Sequence, residues 1–154
     1  MVLDTLRNDL MSSLKKGDSN RVETLRFLLS AIRNVAIATY GSAGEASLTD
    51  PDIVDVIKKQ VKTHKESIDA FTKAGRTELS ERESNQLHVL EEFLPKEISD
   101  EELKYWFNGE NLARKNLSGF VLIKNKNDFL GCGYAKEGII INYIPKERRV
   151  KELI

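Results

Sequence analysis

The chain has 154 residues, with 24 Lys and Arg against 24 Asp and Glu, 40% apolar residues, two His and one Cys. High charge with modest apolar content excludes collagen-like, disulfide-stapled and low-complexity classes, and fits one ordinary domain or two small ones burying roughly 70% of the unfolded surface. The apolar runs fall far short of the ~20 residues that span a bilayer, so no membrane partner is expected. The start lacks the basic and apolar regions of a signal peptide, and lone Cys132 asks for no oxidising compartment, so the chain reads as cytoplasmic.

Up to Leu103 the apolar residues recur at helical spacing. Leu3, Leu6, Leu10 and Leu14 form one stripe that Gly17-Asp18 ends. Asn20 and Glu23 have capping-box spacing and open a helix through Val22, Leu25, Leu28, Leu29, Ile32 and Val35. Thr39–Ser47 reads as a loop. Thr49-Asp50-Pro51 starts a third helix, with Ile53, Ile57, Val61, Ile68 and Phe71 buried and Gly75 at its end. Ser80 with Glu83, or a start nearer Thr77, opens a fourth through Leu87, Leu90 and Leu94, stopped by Pro95. Ser99 with Glu102 caps a short fifth through Leu103, Trp106 and Phe107.

After Gly109 the period changes to that of strands: Phe120–Ile123, Phe129–Tyr134 and Ile139–Ile144, separated by turns at Asn125–Asp128 and Lys136–Gly138. Both faces of the first and third strands are apolar, so both are expected to be covered. Trp106 is expected to be buried between the two halves. The fold class is α+β, an all-helical domain over 1–103 followed by a small β module over 104–154.

Charge divides with the pattern. Residues 1–103 hold 14 basic and 19 acidic side chains, and residues 104–154 hold 10 and 5. The basic tail is the candidate for a polyanion. Lys124 and Lys126 flank the first hairpin and Lys136 the second, and Lys146, Arg148 and Arg149 follow the last strand. If the turns gather at one end of the sheet, these charges converge on phosphates while Tyr134 or Tyr143 stacks a base. Alternation places Phe129, Gly131 and Gly133 on one face, where the two glycines allow close approach of a backbone, either in a tight crossing or against RNA.

Other reactive side chains read as structural. His64 lies beside the stripe of the third helix and reads as a packing residue, and His88 has no companion ligands. Cys132 reads as a core thiol. No catalytic residue, metal site or cofactor is expected.

Two resemblances divide the chain. Arg21–Arg26, Leu48–Ile53, Lys58–Lys62 with Lys65–Ile68, Ala74–Arg76 and Leu90–Pro95 before Ser99–Leu103 resemble the N-terminal part of the GatB/YqeY family. That resemblance implies a helical domain and an association with tRNA-dependent amidation, with amidotransferase subunits as partners. It supplies no catalytic set, so any carbon–nitrogen ligase activity with glutamine as amido donor is implied by the family alone. Tyr105–Gly109, Gly119–Ile123, Phe129–Gly133 and Ile141–Lys146 with Arg148-Arg149 resemble the PUA-like, RNA-binding tail of RNA cytosine-5 methyltransferases. The expected function is non-catalytic binding of structured RNA, tRNA or rRNA, through Lys124, Lys126, Gly131, Gly133, Tyr134, Lys136, Lys146, Arg148 and Arg149. An amidation accessory and a protein-interaction scaffold are the alternatives.

Overall fold

The computed structural model describes residues 2–149, the side chain of Arg148 excepted. The chain forms two compact units that part after Glu92. The first contains α1 (Val2–Lys16), α2 (Ser19–Tyr40), a 3₁₀ segment at Gly41–Ser47, α3 (Asp50–Lys73) and α4 (Thr77–Glu92). The helix starts follow local chemistry. Thr49 and Asp52 form the capping box of α3, with Pro51 in its first turn. Gly17 and Gly75 end α1 and α3 at φ of 73° and 68°. The cap of α2 is Asp18, not Asn20: its carboxylate accepts the Arg21 N–H at 3.0 Å. The core collects Leu6, Leu25, Leu28, Ile32, Ile53, Ile57 and Leu90, all essentially inaccessible. Val35 and Leu14, at the far ends of their expected stripes, are exposed. Arg21 holds three helices at one point, donating to Asp9 of α1 and pairing with Glu92 of α4 at 2.8 Å.

The second unit contains β1 (Lys96–Glu97), α5 (Asp100–Phe107), β2 (Leu112–Ala113), β3 (Gly119–Asn125), β4 (Asp128–Lys136) and β5 (Ile139–Asn142), in a sheet of order β1-β3-β4-β5-β2. Only β1 and β3 pair in parallel among the described strands. The pattern change at Leu103 falls inside α5, which belongs with the sheet because its Trp106 is the centre of that unit's own core. Trp106 is fully buried with Ile98, Leu112, Val121, Ile123, Ala135, Ile140 and Ile144. Leu103, Phe107, Leu117 and Leu130 pack around this cluster.

Two buried asparagines fasten α5 to the sheet. Asn125, at the end of β3, donates its amide to the Ile98 carbonyl at 2.9 Å and to Asp100 at 3.0 Å, beside the helix start. Asn142, at the end of β5, donates to the carbonyls of Trp106 and Glu110 at 2.6 and 3.1 Å, at the helix end. Its own oxygen accepts the Ile144 N–H at 2.7 Å. Buried polar atoms matched in this way fix one orientation of helix on strand.

Candidate nucleic-acid interface

The β unit sorts its side chains by alternation. Val121, Ile123, Ala135 and Ile140 point into the core. Phe120, Tyr134 and Ile141 form a cross-strand row on the opposite face, with Lys136 and Ile139 as the next pair. Phe120 and Tyr134 meet edge to face, with ring centroids 5.3 Å apart and planes at 82°. Phe120 is 40% and Ile139 45% exposed, so this face is not fully covered as its apolar pattern implied. The result is an aromatic and aliphatic platform with a lysine beside it.

The charges of the tail do not gather at one end. In an antiparallel meander successive hairpins turn at opposite ends, and here Asn125 faces Asp128 at one end while Lys136 faces Ile139 at the other. Lys136 is therefore separated from Lys124 and Lys126 by the length of β4.

Several of these cations also have partners. Lys124 pairs with Glu97 at 3.0 Å and Lys126 with Asp100 at 2.8 Å. The Lys126 contact holds the Asp100 carboxyl below the usual carboxylate range and raises the ammonium. Lys136 lies 3.5 Å from Glu137. Arg149 is committed to structure: its Nε donates to the Ile144 carbonyl at 3.2 Å, and its guanidinium lies where a Cβ on Gly109 would stand, 2.5 Å from it. Arg148 falls outside the described side chains. Lys146 is exposed and has no ion pair among the described residues.

The two glycines of β4 do different work. A Cβ on Gly133 would meet Ile140 at 2.5 Å, the Ile141 carbonyl at 2.7 Å and Trp106 at 2.9 Å, so this is the tight internal crossing. A Cβ on Gly131 would touch nothing within 4 Å, but its φ is 127°, in the region that favours glycine. It follows a bulge. Ile123 faces Gly131 while Lys124 faces Phe129, which leaves Leu130 without a partner. The extra residue breaks the expected alternation, so Leu130 packs against the core and Phe129 pairs on the side of Lys124.

Arg114 and Glu102 join β2's flank to α5 through two hydrogen bonds of 2.5 and 2.8 Å. Arg114 holds the Glu102 carboxyl down at about 2, against an ordinary 4.5. In the helical unit His64 donates or accepts at 2.7 Å with Glu83, and His88 is exposed. Among the described residues no cluster of His, Cys, Asp and Glu is arranged to hold a metal, and no helix is long and apolar enough to cross a membrane.

A helical unit followed by a β unit of PUA-like pattern is an α+β architecture, and comparison with known proteins assigns each part. The chain belongs to the Yqey-like protein family, whose model matches residues 3–110. Residues 94–150 match the methyltransferase RsmF PUA domain. An uncharacterized Schizosaccharomyces pombe protein, C22F3.15, is 33% identical over 62% of this chain and 73% of its own length. Altered inheritance of mitochondria protein 41, mitochondrial, is 32% identical in both Lachancea thermotolerans and Kluyveromyces lactis, over 58% and 57% of this chain. The chain spans 46% and 45% of those two relatives. Their names overturn the expected cytoplasmic placement, which rested on composition and on the first residues.

Proposed function

We propose that the protein binds structured RNA, of the tRNA or rRNA class, without catalysing a reaction on it, and that the Phe120–Tyr134 face of the β unit is the contact surface. The observation that carries this reading is the aromatic pair of exposed Phe120 and half-buried Tyr134 with Lys136 in the adjacent row, within a segment that matches a PUA domain. Aromatic rings stack unpaired bases with little sequence preference, and lysines supply phosphate contacts that weaken with salt. Of the residues first singled out, Tyr134, Lys136 and Lys146 stand as candidate contacts. Lys124 and Lys126 would contribute by leaving Glu97 and Asp100, and Arg149 by leaving Ile144. The names of the mitochondrial relatives support a mitochondrial setting for this binding.

The test is a titration of the full chain with tRNA at two salt concentrations. Phe120→Ala and Tyr134→Ala are each expected to weaken binding about 5- to 100-fold, the measured worth of a base–aromatic stack, with the salt slope unchanged. Lys136→Ser with Lys146→Ser should flatten the slope of log K against log salt by about one to two. Unchanged affinity in both aromatic variants would sink the proposal. The Yqey-like match over 3–110 supports a second reading, an accessory to tRNA amidation. Co-purification with amidotransferase subunits in the absence of RNA affinity would favour it.

A further inference from the structure

The helical unit contains a cleft that the RNA reading leaves unused. It opens between α2, α3 and α4 with a volume of about 630 Å³, within the range of roughly 300–1,000 Å³ typical of small-molecule sites. Phe27 of α2, Phe71 of α3 and Leu79 of α4 contribute its apolar lining. Phe27 is 66% exposed, a phenyl ring left facing water at the cleft.

The polar lining is more specific. Gln86 is 7% exposed, lines the cleft, and makes no side-chain hydrogen bond to the described residues. The residue is largely buried but its amide still reaches solvent through the cleft, so an occupant offering both an acceptor and a donor takes the place of water on an amide with no bond to the described residues. The charged groups on the cleft already have counterparts. Arg82 donates to Glu23 at 2.5 Å, and Glu83 is hydrogen-bonded to His64 at 2.7 Å. An anion or a cation entering here would have to displace one of these pairs, whereas a neutral molecule would not.

We propose that this cleft binds an uncharged small molecule with a flat apolar body and a carboxamide-type edge, the edge pairing with the Gln86 amide and the body covering Phe27 and Phe71. Benzamide is the minimal probe, with benzoate as the charged control and toluene as the apolar one. In NMR titrations of the full chain, benzamide should shift the Gln86 side-chain NH₂ and the Phe27 ring signals saturably, in the millimolar range expected of so small a ligand. Benzoate should bind at least tenfold more weakly. Gln86→Leu should weaken benzamide at least tenfold and leave toluene unaffected. Phe27→Ala, a change at an exposed position that leaves the fold intact, should weaken both, and it decides the matter if Gln86→Leu does not fold. No saturable shift at Gln86, or equal binding of all three probes to the unmodified chain, overturns the proposal.

Discussion

The two units reach a buried core by different routes. In the helical unit the core is distributed: seven wholly inaccessible aliphatic side chains come from α1, α2, α3 and α4, each placed by local periodicity. In the β unit the core is concentrated on Trp106, which strands distant in sequence surround and whose helix is fastened at its two ends by asparagine amides. A distributed core loses one contact at a time. A core built on one ring depends on that ring and on the backbone that comes closest to it.

The largest test of this difference is Trp106→Ala, expected to cost ~3–5 kcal/mol in denaturant melts, the range for emptying a large aromatic site. Leu25→Ala in the helical unit should cost ~2–4 kcal/mol. Amide-exchange protection should fall mainly within 93–149 for the first and mainly within 2–92 for the second. Trp106→Phe should be milder than Trp106→Ala, since it keeps most of the packing and removes an indole N–H that has no partner among the described residues. A loss under ~1 kcal/mol for Trp106→Ala would mean the ring is not the centre of that unit.

Next in size are the two glycines. Gly133→Ala must push against the Ile141 carbonyl and Trp106 and should cost ~2–3 kcal/mol. Gly131→Ala meets no atom and should cost ~1–2 kcal/mol through backbone strain alone. Reversal of that order would show that conformation, not contact, limits β4.

The caps come next. Thr49→Ala on α3 and Ser99→Ala on α5 each remove one half of a capping box and should cost ~1 kcal/mol. Equal losses measured by thermal melts would show that caps work alike in a long helix and a short one.

The smallest effect is electrostatic. The Glu102 carboxyl is held at about 2 by Arg114, below its ordinary 4.5. Its contribution is therefore fully present above about pH 4.5 and is lost as pH falls toward about 2. Both groups touch solvent, so the pair is worth only ~1 kcal/mol. Glu102→Gln should flatten the acid limb of the stability profile over that window and leave neutral pH little changed beyond this amount.

The helices were legible because their causes are local. Pro51 marks the first turn of α3, and Ser99 with Glu102 lie three residues apart and act within one turn, whereas the same spacing at Asn20 and Glu23 misplaced the cap of α2, which is Asp18. β1 and β2 were not legible, since two residues carry no period and both exist only by pairing with β3 and β5. The bulge at Leu130 is likewise a property of register, invisible to alternation counted along one strand. At the candidate interface, Tyr134 and Lys136 could be named from residue type. Phe120 could not, because its significance is that it lies across from Tyr134. Counting lysines overstated the available charge, because Glu97 of β1 and Asp100 at the start of α5, which engage Lys124 and Lys126, lie more than twenty residues earlier in the chain.

A fastening made of amides also has a lifetime. Hydrolysis of the Asn142 side chain to Asp replaces the NH₂ that serves the Trp106 and Glu110 carbonyls with an oxygen that repels them. The fastening would fail by one chemical event, with no change of shape to announce it. Asn125 and Asn142 are both 7% exposed and precede the bulky residues Lys126 and Tyr143, which disfavour the cyclic intermediate of deamidation. Asn108 is exposed and precedes Gly109, the neighbour that most favours that intermediate. Chemical ageing therefore begins at Asn108, where the new charge disturbs the C-terminal cap of α5 while the two buried fastenings keep their amides.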